Sequence, residues 1–282
     1  MASFSIVTNI GAVNAQNKLT SNNLGMANTI SRLSSGLRIN GAKDDAAGLA
    51  IAENLRADVS GLNQAVRNAN DGIGIINTAD AALGEVGNLL QRAVTLAEQA
   101  SSGTSGADAG TAKKAINAEY QQILSEIDRI SSTVSFNGVA LFGSSGATVD
   151  VQIGTGSSSN DKITLTTSGL SSTGLGLTTG AATTSLQSAS GAAAELVKIQ
   201  DAIDTISQKR GDLGASYNRL EHTISVITVQ SENLKAAESQ IRDANVAEEV
   251  VALTKFQVLN QTGLSALAQA NSSQQSVLSL LR

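Results

Sequence analysis

Residues 44–100 read DDAAGLAIAENLRADVSGLNQAVRNANDGIGIINTADAALGEVGNLLQRAVTLAEQA, and this stretch decides the fold. Counting in alternating steps of three and four from Ala52 gives Leu55, Val59, Leu62, Val66, Ala69, Ile73, Ile76, Leu83, Leu90, Val94 and Ala97, all apolar. Only Asp80 and Gly87 interrupt the count. Such steps place side chains on one face of a helix. A heptad seam sustained this long predicts a helix packed against others in coiled-coil fashion. At the rise of an α-helix the segment would reach roughly 85 Å, well beyond an ordinary globular helix.

Working outward, the stretch 101–110 (SSGTSGADAG) reads as a loop. A second helix follows over about 111–131, with the stripe Ile116, Tyr120, Ile123, Ile127 and Ile130. The texture then changes. SFNGVALF at 135–142 holds an Asn-Gly pair between apolar residues, the signal of a hairpin turn. VDVQIG at 149–154 and DKITLTT at 161–167 alternate with period two and predict short strands. Helical spacing returns near Ala192, with Leu213, Leu220, Ile224, Ile227, Leu234 and Ile241 on one stripe broken by Ser231 and Glu238. The expected fold class is mainly α: a long antiparallel helical hairpin with a small β-hairpin region at about 135–190. Such a chain returns its two ends to the same place.

The ends form one physical class. Residues 1–43 carry Lys18, Arg32, Arg38 and Lys43 but no acid, and residues 256–281 carry no charge. Near the start, Ile6, Ile10 and Val13, then Met26, Ile30, Leu33 and Leu37 fall on helical spacing. Near the end, Val250 with Leu253, Phe256 with Leu259, Leu264 with Leu267, and Leu278 with Leu281 sit three apart. Gly11, Gly25 and Gly36 each weaken an isolated helix by roughly 1 kcal/mol. Neither segment buries its stripe alone, so each needs partner helices.

Composition narrows the function classes. Among 282 residues, aromatics are 2%, with no proline and no cysteine. No helix is broken by a proline ring, and disulfides, thiolate metal sites and thiol catalysis are excluded. His222 is the only histidine, which leaves little room for imidazole catalysis or a multi-His metal site. The net charge of −5, with no basic patch interleaved with aromatics, gives no nucleic-acid signal. No run of 18 apolar residues predicts a membrane helix. The first residues, MASFSIVTNIGAVN, lack the cationic start and apolar run of a cleaved signal peptide. No cofactor is expected, and no nucleophile, base and stabiliser converge. Asp44 and Asp45 read as the acidic start of a helix, Asp80 as a register-setting or water-exposed polar position, and His222 as a solvated surface residue.

Specific motifs add an identification. SRLSSGLRIN at 31–40, followed by GAKDDAAGLAIAENLRA, resembles the N-terminal region of bacterial flagellins. LSALAQANSSQQSVLSLLR at the end resembles their C-terminus. LLQRAVTLAEQAS (89–101), SEIDRIS with FNG (125–138) and SQIRDANVAEEV (239–250) fit as well. The resemblance covers about 1–142 and 192–282, and the large variable outer domains of the family are missing.

The resemblance implies a function as well as a fold. Residues 1–43 and 243–282 would pair as the inner coiled-coil domain of a filament. Residues 44–242 would form the long-helix domain with its β tip. The chain would leave the cell unfolded and uncleaved through the flagellar type III apparatus, polymerise with copies of itself for motility, and reside outside the cell. The polymerisation residues would be Ile6, Ile10, Val13, Ile30, Leu33, Leu37, Phe256, Leu259, Leu264 and Leu267. Export chaperone, filament cap and hook-junction proteins would be partners, with neither nucleic acid nor membrane among them. By the same resemblance, host innate immune receptors would read Gln91, Arg92, Leu96 and Glu119 at a surface receptor, and Leu278, Leu280 and Leu281 at cytosolic sensors. Val94 and Thr95 depart from the charged residues of strongly stimulatory members. The alternatives are a hook–filament junction protein of the same superfamily and a secreted coiled-coil scaffold or adhesin.

Overall fold

The computed structural model describes residues 9–102, 109–143, 146–177 and 186–280, with the side chains of 109 and 274–280 left out. The protein is mainly helical, its long helices pack antiparallel, and a small β region occupies the middle of the chain. It divides into two compact units, one formed by Met1–Val59 with Glu232–Arg282 and the other by Ser60–Ser231.

The Ser60–Ser231 unit is built on three helices. These are α2 (Ala46–Ser101) and α4 (Ala189–Arg242), both of which extend into the other unit, and α3 (Ala109–Thr133). The α2 seam differs from the sequence count in one respect. Ala69, Ile76, Leu83, Leu90 and Ala97 are buried as expected, but the alternate positions are Ala65, Gly72, Ala79, Val86, Ala93 and Ala100. The seam is therefore unbroken. Asp80 and Gly87 lie one residue beside it, and so do Val66, Ile73 and Val94, which are only half-buried. Alanine or glycine at five of these six alternate positions, all but Val86, lets the helices approach closely, while Ile76, Leu83 and Leu90 fill the space between. From α3 come Ile116, Tyr120, Ile123, Leu124 and Ile127, and from α4 Ile199, Ile206, Leu213 and Leu220.

Polar links tie these helices together. Arg210 of α4 donates to Asp80 of α2 at 2.7 Å. Arg92 of α2 donates twice to Oε1 of Glu119 on α3, at 2.9 and 2.7 Å. Inside the core, the Tyr120 hydroxyl donates to Oε1 of Glu195 at 2.9 Å, and Lys198 Nζ reaches Oε2 at 3.0 Å. Glu195 is 2% exposed, so it is a buried carboxylate on an otherwise apolar stripe. Burial and the neighbouring carboxylate push the Tyr120 phenol well above its ordinary range.

The β region forms two antiparallel pairs. Strands β1 (Ser135–Phe136) and β2 (Val139–Ala140) are joined by Asn137 at φ 48° and Gly138 at φ 81°, two consecutive left-handed residues as a type I′ turn demands. Strand β3 (Ala147–Gln152) pairs with β4 (Lys162–Thr167), setting Val149 opposite Leu165 and Val151 opposite Ile163. Ile163, Leu165 and Thr167 turn inward and Lys162, Thr164 and Thr166 outward. The period-two alternation of the sequence is this inward–outward register. The Asp128 carboxylate anchors the following loop, accepting from the Ser172 amide at 2.8 Å and its hydroxyl at 2.9 Å.

In the other unit, α1 (Ile10–Ser35) packs antiparallel on α5 (Val246–Leu280). Asn9 caps α1, its side chain accepting from the Ala12 amide at 2.9 Å. Gly36 ends the helix at φ 73°, with its amide bonded to the Arg32 carbonyl. The chain then forms a short two-way clasp with the junction of α4 and α5: the Arg38 amide donates to the Arg242 carbonyl at 2.7 Å, and the Ala244 amide to the Gly36 carbonyl at 2.9 Å.

Candidate subunit-packing surface

The α1–α5 pair is zipped by contacts at a constant register. Asn9 Nδ2 donates to the Ala270 carbonyl at 3.1 Å, and Arg32 reaches Glu249 at 3.4 Å. Between them Asn23 bonds Asn260, Leu19 lies over Gly263, and the Phe256 ring lies over Gly25. On α1 the half-buried line is Ala12, Ala15, Leu19, Asn22, Met26 and Leu33, with Thr29 fully buried. On α5 it is Leu253, Phe256, Asn260, Gly263, Leu267 and Ala270. Both lines follow steps of three and four, so each is a heptad seam. Both mix large apolar side chains, Leu19, Met26 and Leu33 on α1 and Leu253, Phe256 and Leu267 on α5, with small or polar ones.

Other large apolar residues point elsewhere. Ile10, Val13 and Ile30 are 63%, 54% and 48% exposed, and Leu259 and Leu264 are 38% and 54% exposed. Leu33, Leu37, Phe256 and Leu267 are half-buried within the chain. The sequence stripe thus combines two populations, one serving the internal seam and one facing outward. Ile6 and Leu281 lie outside the described residues, as do the side chains of Leu278 and Leu280. Sequence reasoning passed over four further exposed residues: Leu24, Val246, Val251 and Val258. For Leu24 and Val258 the signal was available, since each falls between seam positions. Val250, Val251, Val258 and Leu259, with Thr254 and Lys255, line an open apolar groove of about 410 Å³ along α5.

The residues singled out for receptor recognition separate in the same way. Gln91 and Arg92 are exposed and Glu119 is half-buried, with Arg92 and Glu119 locked together. Leu96 is 2% exposed and belongs to the core. Asp80 is half-buried and paired with Arg210, and His222 is at the surface. Among the described residues no cluster of acids and histidine has the makings of a metal site, and no helix is long and apolar enough to cross a membrane.

An apolar side chain left in water forfeits roughly 1.5–3 kcal/mol that burial would return. Rows of them along two paired helices define a class: a subunit that completes its core with neighbouring subunits in an extended assembly. Residues 6–147 match the model of the bacterial flagellin N-terminal helical region, and residues 196–281 that of the C-terminal helical region. A flagellin of Halalkalibacterium halodurans is 42% identical over 97% of this chain and 98% of its own. A flagellin of Treponema pallidum is 38% identical, with the same two coverages of 97% and 98%. In fold alone, a Vibrio parahaemolyticus chain described as a flagellar hook-associated protein aligns with TM-score 0.56 at 13% identity, covering 71% of this chain and all of that one. The chain belongs to the bacterial flagellin family. It is a structural subunit of the extracellular flagellar filament and assembles with copies of itself for motility.

Proposed function

We propose that Ile10, Val13 and Ile30 of α1 and Leu259 and Leu264 of α5 are the side chains by which one copy grips the next. In this reading Leu33, Leu37, Phe256 and Leu267 hold the two terminal helices of one copy together. Residues 1–43 and 243–282 then form the innermost layer of the filament, and residues 44–242 the layer outside it, ending in the small β tip. The observation that carries the reading is that isoleucine, valine and leucine face outward from a helix pair whose internal seam is already filled by other apolar residues together with Ala12, Ala15, Asn22, Thr29, Asn260 and Gly263.

The absence of charge over 256–281 supports the same reading, because no charge would have to be desolvated when neighbours close over this segment. Ile6, Leu278, Leu280 and Leu281 extend the same rows in sequence. Export through the flagellar type III apparatus, with a chaperone covering the apolar rows beforehand and cap and hook-junction proteins meeting the chain afterwards, follows the family resemblance. Recognition by innate immune receptors would rest on Gln91, Arg92 and Glu119. Leu96 would act from the core by fixing the α2 turn that presents Arg92, and Leu278, Leu280 and Leu281 would be read only on a free chain.

Electron microscopy of the purified chain after seeding with filament fragments tests the packing assignment. The unaltered chain elongates the seeds. Paired Ile30→Ser and Leu264→Ser changes, which leave the internal seam intact, abolish elongation; normal elongation by that variant overturns the assignment.

A further inference from the structure

The core, the terminal helices and the ion pairs leave one cluster unused, in the Ser60–Ser231 unit. An open groove of about 380 Å³ lies between the β3–β4 pair and α4, its three cationic side chains exposed. Lys162, the first residue of β4, lines it from one side, and Arg219 and His222 line it from α4. Arg219 and His222 stand three apart and so share a helix face. Ser159, Asn160 and Thr223 add hydroxyl and amide groups, and Ile153 and Ile163 supply apolar surface.

The electrostatics of this groove are one-sided. No carboxylate lines it. None of the ion pairs among the described residues engages Lys162, Arg219 or His222. The two acids of the hairpin are already engaged within it, Asp161 in the turn between β3 and β4 and Asp150 across the strands. Asp161 accepts from the Ser158 amide at 3.1 Å, and Asp150 accepts from the Thr164 hydroxyl at 2.8 Å. Elsewhere in this unit, Arg92, Arg129, Lys198 and Arg210 are each paired with an acid, Arg67 is bonded to Gln64 and Lys209 to the Gly169 carbonyl. Lys113 and Lys114, which stand side by side on α3, are in no ion pair among the described residues but do not converge with a second element. A set of unpaired cationic donors from two elements, converging on a concave site with an apolar part, has the composition of a small-anion pocket.

We propose that this groove binds a phosphate or sulfate ester. The oxyanion accepts from Lys162, Arg219 and His222, and the organic body lies over Ile153 and Ile163. Arginine supplies the planar fork and lysine the point charge that tetrahedral oxyanions favour. The volume suits a single sugar-sized body rather than a polymer threaded through it.

His222 makes the test specific. As the chain's only histidine, its imidazole protons give one set of NMR signals that reports on this groove. The full-length monomer is titrated with glucose 6-phosphate at constant ionic strength, with glucose and inorganic phosphate in parallel. The expected result is a saturable shift of the His222 signals with the ester, none with glucose, and weaker binding of inorganic phosphate. Lys162→Gln combined with Arg219→Gln should weaken ester binding by about tenfold or more, as expected for loss of two charge-assisted donors. Arg219→Lys, which keeps the charge, should retain most of it. Circular dichroism confirms that each variant is folded, and Arg219→Gln alone is read if the double variant is not. A shift that does not saturate, equal binding by the double variant, or an equal response to glucose overturns the anion site. Inorganic phosphate binding as tightly as the ester overturns the seat for the organic body.

Discussion

Gly25 of α1 lies directly beneath the ring of Phe256 on α5: a Cβ at position 25 would sit 2.6 Å from two of the ring carbons. The glycine is where the two terminal helices come closest around a large side chain, and the seam here is a ring in a notch. Gly25→Leu should therefore act against two trends. Leucine favours the helix by nearly 1 kcal/mol over glycine, yet overpacking typically costs about 1–3 kcal/mol. We expect overpacking to prevail, so the variant separates α1 from α5 and elongates seeds poorly. Sedimentation of seeded polymer measures this, and elongation at the unaltered rate would show that the notch is dispensable.

The α2 seam gives a prediction whose sign depends on register. In the structure Val86 is fully buried, while a Cβ at Gly87 would meet nothing within 4 Å beyond the helix itself. Val86→Ala should cost about 2 kcal/mol from lost burial and the cavity left behind. Gly87→Ala should stabilise by about 0.5–1 kcal/mol through helix propensity alone. Thermal melts of the two variants read both effects. Were Gly87 the seam residue, as counting from Ala52 places it, the alanine would have to be accommodated against a facing helix and the gain would vanish.

That difference in register shows what was legible in the sequence and why. The positions Ala69, Ile76, Leu83, Leu90 and Ala97 belong to both counts, so the helix, its length and its coiled-coil character were plain. The alternate position was ambiguous because two neighbours compete at each turn: Ala65 or Val66, Gly72 or Ile73, Ala79 or Asp80, Ala93 or Val94. Ranking by hydrophobicity chooses Val66, Ile73 and Val94. At the remaining turn it is Val86 and not Gly87 that is buried, but at these four turns packing chooses the smaller residue, where the helices approach closely. The same preference hid the packing surface, where Ile10, Val13 and Ile30 look like core but Ala12, Ala15, Asn22 and Thr29 make the internal contact. Only the hairpin turn at Asn137 and Gly138 needed no partner to be read, since its geometry is local. The cationic groove was not legible at all, because Lys162 and Arg219 are 57 positions apart and only folding brings them together.

Tyr120 and Glu195 link stability to pH. Burial, and then the charge of Glu195, hold the Tyr120 phenol above its ordinary value in the folded chain. A raised value means the unfolded chain releases this proton first. The contribution is thus fully present below the ordinary phenol value of about 10 and is lost as pH rises above it. The melting temperature should fall in this alkaline range, and less steeply in Tyr120→Phe. That variant should also lose about 1–3 kcal/mol near neutrality, since the buried Glu195 keeps only Lys198 as a partner. Parallel alkaline slopes for the two proteins would assign the loss to other groups.

Arg92 and Glu119 form a close pair, yet their side chains are 58% and 44% exposed. Exposed pairs contribute about 0–1 kcal/mol, so Arg92→Ala should leave the melting temperature nearly unchanged. If the resemblance to receptor-activating members holds, the same change should cut stimulation of the surface receptor several-fold. A reporter-cell assay reads this with a variant whose fold is intact. Undiminished stimulation removes Arg92 from the recognition set, and a large loss of stability would mean the pair has a structural role.

The internal α1–α5 seam is weak for its length. Between Leu19 and Leu33 it holds Asn22 and Thr29 beside Met26, facing a partner line in which Asn260 and Gly263 alternate with Leu253 and Phe256. Polar and small seam residues specify register at the expense of stability, and the outward rows gain nothing until neighbours cover them. The pair should therefore open readily in the free monomer and close in the polymer. Trypsin should cut free monomer at Lys18, Arg32 and Lys255 well before it cuts at Lys198, which is held against the buried Glu195. Because 256–281 contains no lysine or arginine, the cut at Lys255 releases nearly the whole C-terminal segment in one step, easily seen by mass spectrometry. In seeded filaments the same three sites should be protected. Cleavage that starts instead within the Ser60–Ser231 unit, with Lys18 and Lys255 spared in the monomer, would mean that the terminal pair is stable by itself and that polymerisation does not order it.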